Sequence, residues 1–181
     1  TSKTYSDGTT PPVSYTYDAA GRLATAANGT DTLGWTYDLA GQLLTETSSK
    51  NASTVAYSYD RGGNRVSLGL DGQVFVTYGY DDASRLVSIT RSGQVFGFGY
   101  DAANRRTSLS YPNGVVTGYV YDVASRVLDI HAQKAAQTVA RSEYSYDASG
   151  NRLNKAHPEY AETYRYDDLY RLTGVERVGA T

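Results

Sequence analysis

The sequence predicts an all-β protein: an antiparallel meander of about sixteen short strands, made of eight tandem ~21-residue repeats and coiled as a spiral sheet or shell segment. Three observations lead there. An aromatic-x-Tyr-Asp signature recurs through the chain, ending at Tyr17-Asp18, Tyr37-Asp38, Tyr59-Asp60, Tyr80-Asp81, Tyr100-Asp101, Tyr121-Asp122, Tyr146-Asp147 and Tyr166-Asp167. A turn signal comes after every signature, and a second lies midway to the next. Finally, Leu, Ile, Val and Phe supply only 33 of the 181 residues, while tyrosine supplies 18. With a net charge of only −2, the chain is not disordered, so tyrosine must do much of the burying.

Each repeat reads as strand, turn, strand, turn. The Tyr-x-Tyr segment alternates with period two, as a strand with one aromatic face does. Asp followed three residues later by Gly (Gly21, Gly41, Gly63, Gly150) marks a type I turn whose left-handed residue makes a G1 bulge. Ser84, Asn104, Ser125 and Tyr170 stand in the glycine place in the other copies; Ser and Tyr tolerate positive φ poorly, so those turns are expected to differ in type. Arginine recurs just beyond the turns at 22, 65, 85, 105, 126, 152 and 171, placed to pair with turn aspartates or stack on tyrosine rings. The midway turns are Asn28-Gly29, Asp71-Gly72, Ser92-Gly93 and Asn113-Gly114, dipeptides that favour primed hairpin turns. Residues 131–141 contain good helix formers but sit between regular strands, so an extended hairpin tip is preferred there.

Turn parity adds a constraint. A three-residue turn at one end of a repeat and a two-residue turn at the other would put successive tyrosines on alternating faces. A bulge or altered turn in most repeats should correct this, accounting also for Asp-to-Asp spacings of 20, 22, 21, 20, 21, 25 and 20. The tyrosines at 17, 37, 59, 80, 100, 121, 146 and 166 should then form one mostly buried row.

The repeat Tyr-x-Tyr-Asp-x-x-Gly-Arg-Leu, with its variant Tyr-Asp-x-x-Gly-Asn-Arg at 59–65 and 146–152, resembles the YD repeat of the RHS family over residues 15–172. That family includes bacterial polymorphic toxins, cocoon subunits of insecticidal toxin complexes, wall-associated proteins and teneurins. The resemblance implies a β-sheet shell that, in the toxins, encloses a C-terminal toxin domain. The family's cargo-releasing Asp-Pro motif has no counterpart, because Pro11, Pro12, Pro112 and Pro158 do not follow aspartate. Residues 1–14 read as an irregular lead-in and 173–181 as the remainder of a longer chain.

No chemical motif competes with this reading. Gly97-Phe-Gly99-Tyr-Asp-Ala102 fits a dinucleotide fingerprint but lacks the helix that would hold a pyrophosphate. His131 and His157 lie far apart with no cysteine, and read as loop or surface residues rather than metal ligands. The signature aspartates are explained by turn capping. A pI near 5.6 argues against nucleic acid, and no apolar run is long enough for a membrane-spanning helix. The expectation is therefore a non-catalytic shell segment, without cofactor or metal, of a protein secreted or held at the bacterial cell surface. Its partners would be further repeats or copies of itself through sheet edges, and an enclosed toxin or effector domain. The alternative is an adhesive module binding carbohydrate or a protein partner through exposed tyrosine rows.

Overall fold

The computed structural model describes residues 1–7 and 9–179, and all regular structure among them is β-strand. The chain divides into two compact units, residues 1–93 and 94–181. The first holds β1 (Ser2–Lys3), β2 (Val13–Tyr17), β3 (Leu23–Ala27), β4 (Thr32–Tyr37), β5 (Leu43–Ser48), β6 (Ser53–Tyr59), β7 (Arg65–Leu70), β8 (Gln73–Tyr80) and β9 (Leu86–Arg91). The second holds β10 (Gln94–Tyr100), β11 (Arg106–Ser110), β12 (Val115–Tyr121), β13 (Val127–Lys134), β14 (Gln137–Tyr146), β15 (Arg152–His157), β16 (Tyr160–Tyr166) and β17 (Leu172–Gly179). Within each unit every strand pairs antiparallel with its successor, the meander the sequence predicted. The strands number seventeen because Ser2–Lys3 forms a two-residue strand on β2. Residues 131–141 lie in the extended β13–β14 hairpin rather than a helix.

The register is constant across repeats. Counting from each signature aspartate, the residue eight positions later faces the aromatic three positions before: Tyr15↔Ala26, Tyr57↔Leu68, Tyr119↔Ile130 and Tyr164↔Val175 all obey this. The same residue faces, on its other side, the one five positions before the next aspartate: Ala26↔Leu33, Leu68↔Val76, Ile130↔Ser142 and Lys155↔Glu162. All variation in repeat length therefore falls in the midway hairpin end, in its turn and in the paired residues next to it. The expected parity correction is present as a bulge at every signature tyrosine, as at Thr16/Tyr17, Gly79/Tyr80 and Arg165/Tyr166. Being constant, it does not account for the drift in spacing, which belongs to the other end of the strands.

With parity corrected, the signature tyrosines of each unit share one face. The opposite face of the first unit carries small uncharged residues, with cross-strand hydroxyl bonds Thr16–Thr25 (2.7 Å), Thr36–Thr45 (2.6 Å) and Ser58–Ser67 (2.5 Å). Each unit is a single layer, with no helix or second sheet over either face among the described residues. The chain consequently exposes 11961 Å², where a compact globular chain of this mass would expose about 8,600 Å². This corrects the expected burial. Neighbouring strands cover the rings laterally but nothing covers them from above, so the row is half-buried; Tyr164 is the buried hydrophobic residue, and Tyr17 is 52% exposed.

The turns hold one surprise at each end. Ser84, Asn104, Ser125 and Tyr170 take φ between 57° and 63° and donate their N–H to the carbonyls of Asp81, Asp101, Asp122 and Asp167, just as Gly21 does to Asp18. The turn type is thus kept despite the side chain, because the surrounding hydrogen bonds dictate it. At the midway turns, Asp71-Gly72 and Ser92-Gly93 have positive φ at both residues, as type I′ requires. Asn28-Gly29 and Asn113-Gly114 do not: only the glycine is left-handed, in a longer loop at 28–31 and in a three-residue turn closed by Tyr111 and Val115. The tip Ala135-Ala136 adopts the two-residue form without any glycine.

Candidate functional site

The recurrent polar constellation lies at the signature turns and fastens each repeat to the next. In Asp18–Arg22 the Asp18 Oδ1 accepts the N–H groups of Ala20 and Arg22, while Oδ2 accepts Arg22 Nε at 2.7 Å. Arg22 then reaches outward. Its Nη1 donates to the Asp38 carbonyl of the next turn (2.8 Å), and its guanidinium lies 4.7 Å from the Tyr37 ring centre. Arg105 repeats this with the Asp122 carbonyl and Tyr121, and Arg126 with the Asp147 carbonyl and Tyr146. Arg85 and Arg171 make the same bond to their own aspartates, Asp81 and Asp167, at 2.8 Å.

The tyrosine supplies the second fastening. Tyr37 donates its hydroxyl to the Leu23 carbonyl, at the start of the preceding repeat's second strand, at 3.0 Å. Tyr59, Tyr80, Tyr121, Tyr146 and Tyr166 do the same to Leu43, Arg65, Arg106, Val127 and Arg152, at 2.8–3.1 Å. A backbone carbonyl at each strand start thereby accepts a bond from the next repeat. Tyr17 has no preceding second strand beside it, and its hydroxyl makes no such bond. Tyr100 and Asp101 occupy the same places in their own repeat, with Ala103 and Arg105 capping Asp101.

Hydrogen bonds hold seven of the turn carboxylates below the usual carboxylate range. For Asp18, Asp81, Asp101, Asp122 and Asp167 the leading cause is the backbone N–H of the arginine four residues on. For Asp60 and Asp147 it is the side-chain amide of Asn64 and Asn151. Every lone pair engaged this way is a turn contact. The aspartates are spent on capping, with no carboxylate pair poised for acid–base work, and no grouping of His, Asp and Glu suited to a metal is present among the described residues.

Two features escaped the sequence reading. The arginines separate into two kinds by spacing. Those four residues after Asp fasten turns, whereas Arg65 and Arg152, five after, do not pair with the turn aspartates. They lie between tyrosine rings of adjacent strands: Arg65 at 5.7 and 4.9 Å from Tyr57 and Tyr78, Arg152 at 5.8 and 4.2 Å from Tyr144 and Tyr164. The Nε of Arg152 is buried there without a hydrogen-bond partner. The doublet Arg105-Arg106 holds one of each kind, since Arg106 Nη2 bonds the Tyr119 hydroxyl, and that offset was the available signal. The second feature is a charged cluster on the face opposite the tyrosines. His131, expected in a loop or at the surface, is in β13 with Nδ1 3.1 Å from Asp129, which also binds Arg141. His157 ends β15 and stacks on Tyr160 at 4.7 Å.

Comparison with known proteins matches this architecture. The Teneurin YD-shell family matches residues 2–94, and the RHS Repeat family matches residues 80–116 and 100–139. Among solved structures, TcdB2-TccC3-Cdc42 aligns over 94% of this chain with a TM-score of 0.77 at 18% identity. TcdB2-TccC3 without its hypervariable C-terminal region gives 0.76 at 17% over the same share. A Photorhabdus luminescens Tc holotoxin pore gives 0.73 at 19% over 91%. The chain spans 11% of the length of each of these structures, and the likeness is one of fold. No curated protein sequence matches significantly.

Proposed function

The chain belongs to the YD-repeat family of RHS and teneurin shells, and from that premise we propose that it is a non-catalytic wall segment of a shell enclosing a toxin or effector domain in a larger secreted or surface-held protein. The observation that carries this reading is the repeated fastening. Arg22, Arg105 and Arg126 bond the next turn's carbonyl, and six signature tyrosines bond back to the preceding repeat, all at a fixed register, as with Arg126, Tyr146 and the Asp147 and Val127 carbonyls. Such chemistry serves continuity of a wall, not turnover of a substrate. The tyrosine hydroxyls are directed into the sheet, which favours the wall over an adhesive surface of exposed rings.

The test uses the parent protein. Excising two whole repeats from this segment preserves the local register but should open or shorten the wall. Limited proteolysis should leave the cargo domain intact in the parent and degrade it in the excised form. Equal sensitivity of the cargo in both would overturn the enclosing role.

A further inference from the structure

The inter-repeat fastening lacks its arginine at three turns, and two of the substitutes still reach across. Gln42 Nε2 donates to the Gly63 carbonyl at 3.3 Å, and Asn64 Nδ2 to Ser84 Oγ at 3.1 Å. Asn151 does not. Its side chain reaches back to Asp147 Oδ2 at 2.8 Å, and it makes no bond to the following turn. In front of it is a cavity of about 600 Å³ lined by Asp147, Asn151, Tyr164, Tyr166, Asp167 and Asp168, among others.

The lining includes the groups that hold a guanidinium elsewhere in the same chain. At the preceding turn, Arg126 sits between the Asp122 carboxylate, the Tyr146 ring and the Asp147 carbonyl. The equivalents at the cavity are the Asp147 carboxylate, the Tyr166 ring and the Asp167 carbonyl, whose hydrogen-bond donor in the described structure is the Tyr170 N–H. Three cations lie nearby and are engaged: Arg165 with Glu176 at 2.8 Å, Arg171 with the Asp167 carboxylate at 2.8 Å, and Arg152 against the Tyr164 ring at 4.2 Å. Exposed Asp168 adds negative charge to the lining.

We propose that this cavity binds a guanidinium group, an arginine side chain presented by a partner protein segment. A planar fork can bridge the Asp147 carboxylate and the Asp167 carbonyl while lying flat on the Tyr166 ring, which a tetrahedral ammonium cannot do equally well. The volume exceeds what one guanidinium needs and leaves room for the aliphatic stem and backbone of the segment that carries it. An incoming arginine restores from outside the bond that the sequence omits at this one interface.

The experiment is an NMR titration of the isotope-labelled full chain with N-acetyl-arginine amide, with the lysine analogue in parallel. Saturable shifts should centre on Asn151, Tyr166 and Asp167, with a dissociation constant on the order of 1–10 mM for one small group. The lysine analogue should bind several-fold more weakly. Asn151→Arg should fill the cavity from within, as Arg22, Arg105 and Arg126 do at their turns, and weaken probe binding at least about tenfold. Asp147→Asn, which keeps a turn-capping acceptor but removes the charge, should weaken it too, whereas Asn151→Ala should bind. Absence of saturable shifts in the unmodified chain, equal binding of both probes, or binding undiminished in both Asn151→Arg and Asp147→Asn would overturn the proposal.

Discussion

Replacing Tyr146 with Phe deletes one hydroxyl and leaves the half-buried ring in place. That hydroxyl donates to the Val127 carbonyl at 2.8 Å, the first residue of β13, and desolvation already pushes the phenol's pKa upward. A neutral hydrogen bond contributes about 0.5–1.5 kcal/mol net. Water can reach a half-buried carbonyl in a single-layer sheet, so a cost near 1 kcal/mol is expected rather than the full penalty of a dry, orphaned group. For a chain of this length, that lowers the melting temperature by about 2–4 °C. Tyr17→Phe is the matched control, because the Tyr17 ring is 52% exposed and its hydroxyl has no partner; its cost should stay within about 0.5 kcal/mol. Tyr146→Ala should cost about 2 kcal/mol, roughly half the 3–5 of a fully buried ring. Thermal and urea denaturation followed by circular dichroism measure all three. If Tyr17→Phe and Tyr146→Phe cost the same, or Tyr146→Phe is silent, the hydroxyl row is not a fastening and the reasoning fails.

Three further outcomes are expected. Gly118→Ala places a Cβ 2.5 Å from the His131 ring, so the ring must leave Asp129; a loss of about 1–3 kcal/mol in urea denaturation is expected, and His131→Ala in the same background should relieve part of it. Tyr170→Gly relieves a left-handed φ of 61° and should raise stability by about 1 kcal/mol, a rise that an unchanged or lowered melting temperature would contradict. Asp18, Asp60, Asp81, Asp101, Asp122, Asp147 and Asp167 have folded pKa values below their unfolded ones, so the stability they contribute is present at neutral pH and lost as pH falls from the ordinary aspartate range through the folded values. The urea midpoint should therefore be level above about pH 5 and decline below about pH 4; a midpoint that stayed level down to about pH 2 would refute the capping role.

The repeat, the strand–turn–strand order, the Asp-led turn and even the bulge were legible because each rests on short-range rules. Period two, Asx capping and face parity act within a few residues, and eight copies average out local exceptions. Burial was not legible in the same way. Tyrosine at alternate positions says which face a ring occupies, but not whether a second layer covers it. The turns at Ser84, Ser125 and Tyr170 were misjudged because intrinsic φ preference was weighed against no competitor. In the fold, a carboxylate accepting several N–H groups and a closing pair of backbone bonds outweigh a left-handed cost of about 1–2 kcal/mol. The two kinds of arginine were confused for a subtler reason. One residue of offset beyond a turn changes which side of the strand a long side chain leaves from, and composition cannot register that.

The division of labour between the two ends of each repeat explains why spacing varies while register does not. At the signature end, the turn closure, the Asp cap, the arginine and the tyrosine hydroxyl all bear on a few consecutive residues. An insertion there would break several contacts at once. At the midway end, pairing runs on past the residue eight beyond the aspartate to a hairpin closure, and the length of that stretch is free to vary. Three different closures coexist there: a two-residue turn with both φ positive at Asp71-Gly72 and, on the lengthened β13–β14 hairpin, at Ala135-Ala136; a three-residue turn between Tyr111 and Val115; and a longer loop at 28–31. The charged cluster of Arg141, Asp129 and His131 lies below the β13–β14 insertion, because His131↔Arg141 takes the register of Ala27↔Thr32 in a shorter repeat, so it arises by substitution. Departures from the repeat thus have a physical address. Substitutions at the signature end, such as Asn151, open gaps in an otherwise uniform fastening, and insertions at the midway end add new surface. Both leave the register within each unit intact, because the residue eight beyond the aspartate keeps its two neighbours, as at Ala26, Leu68, Ile130 and Lys155.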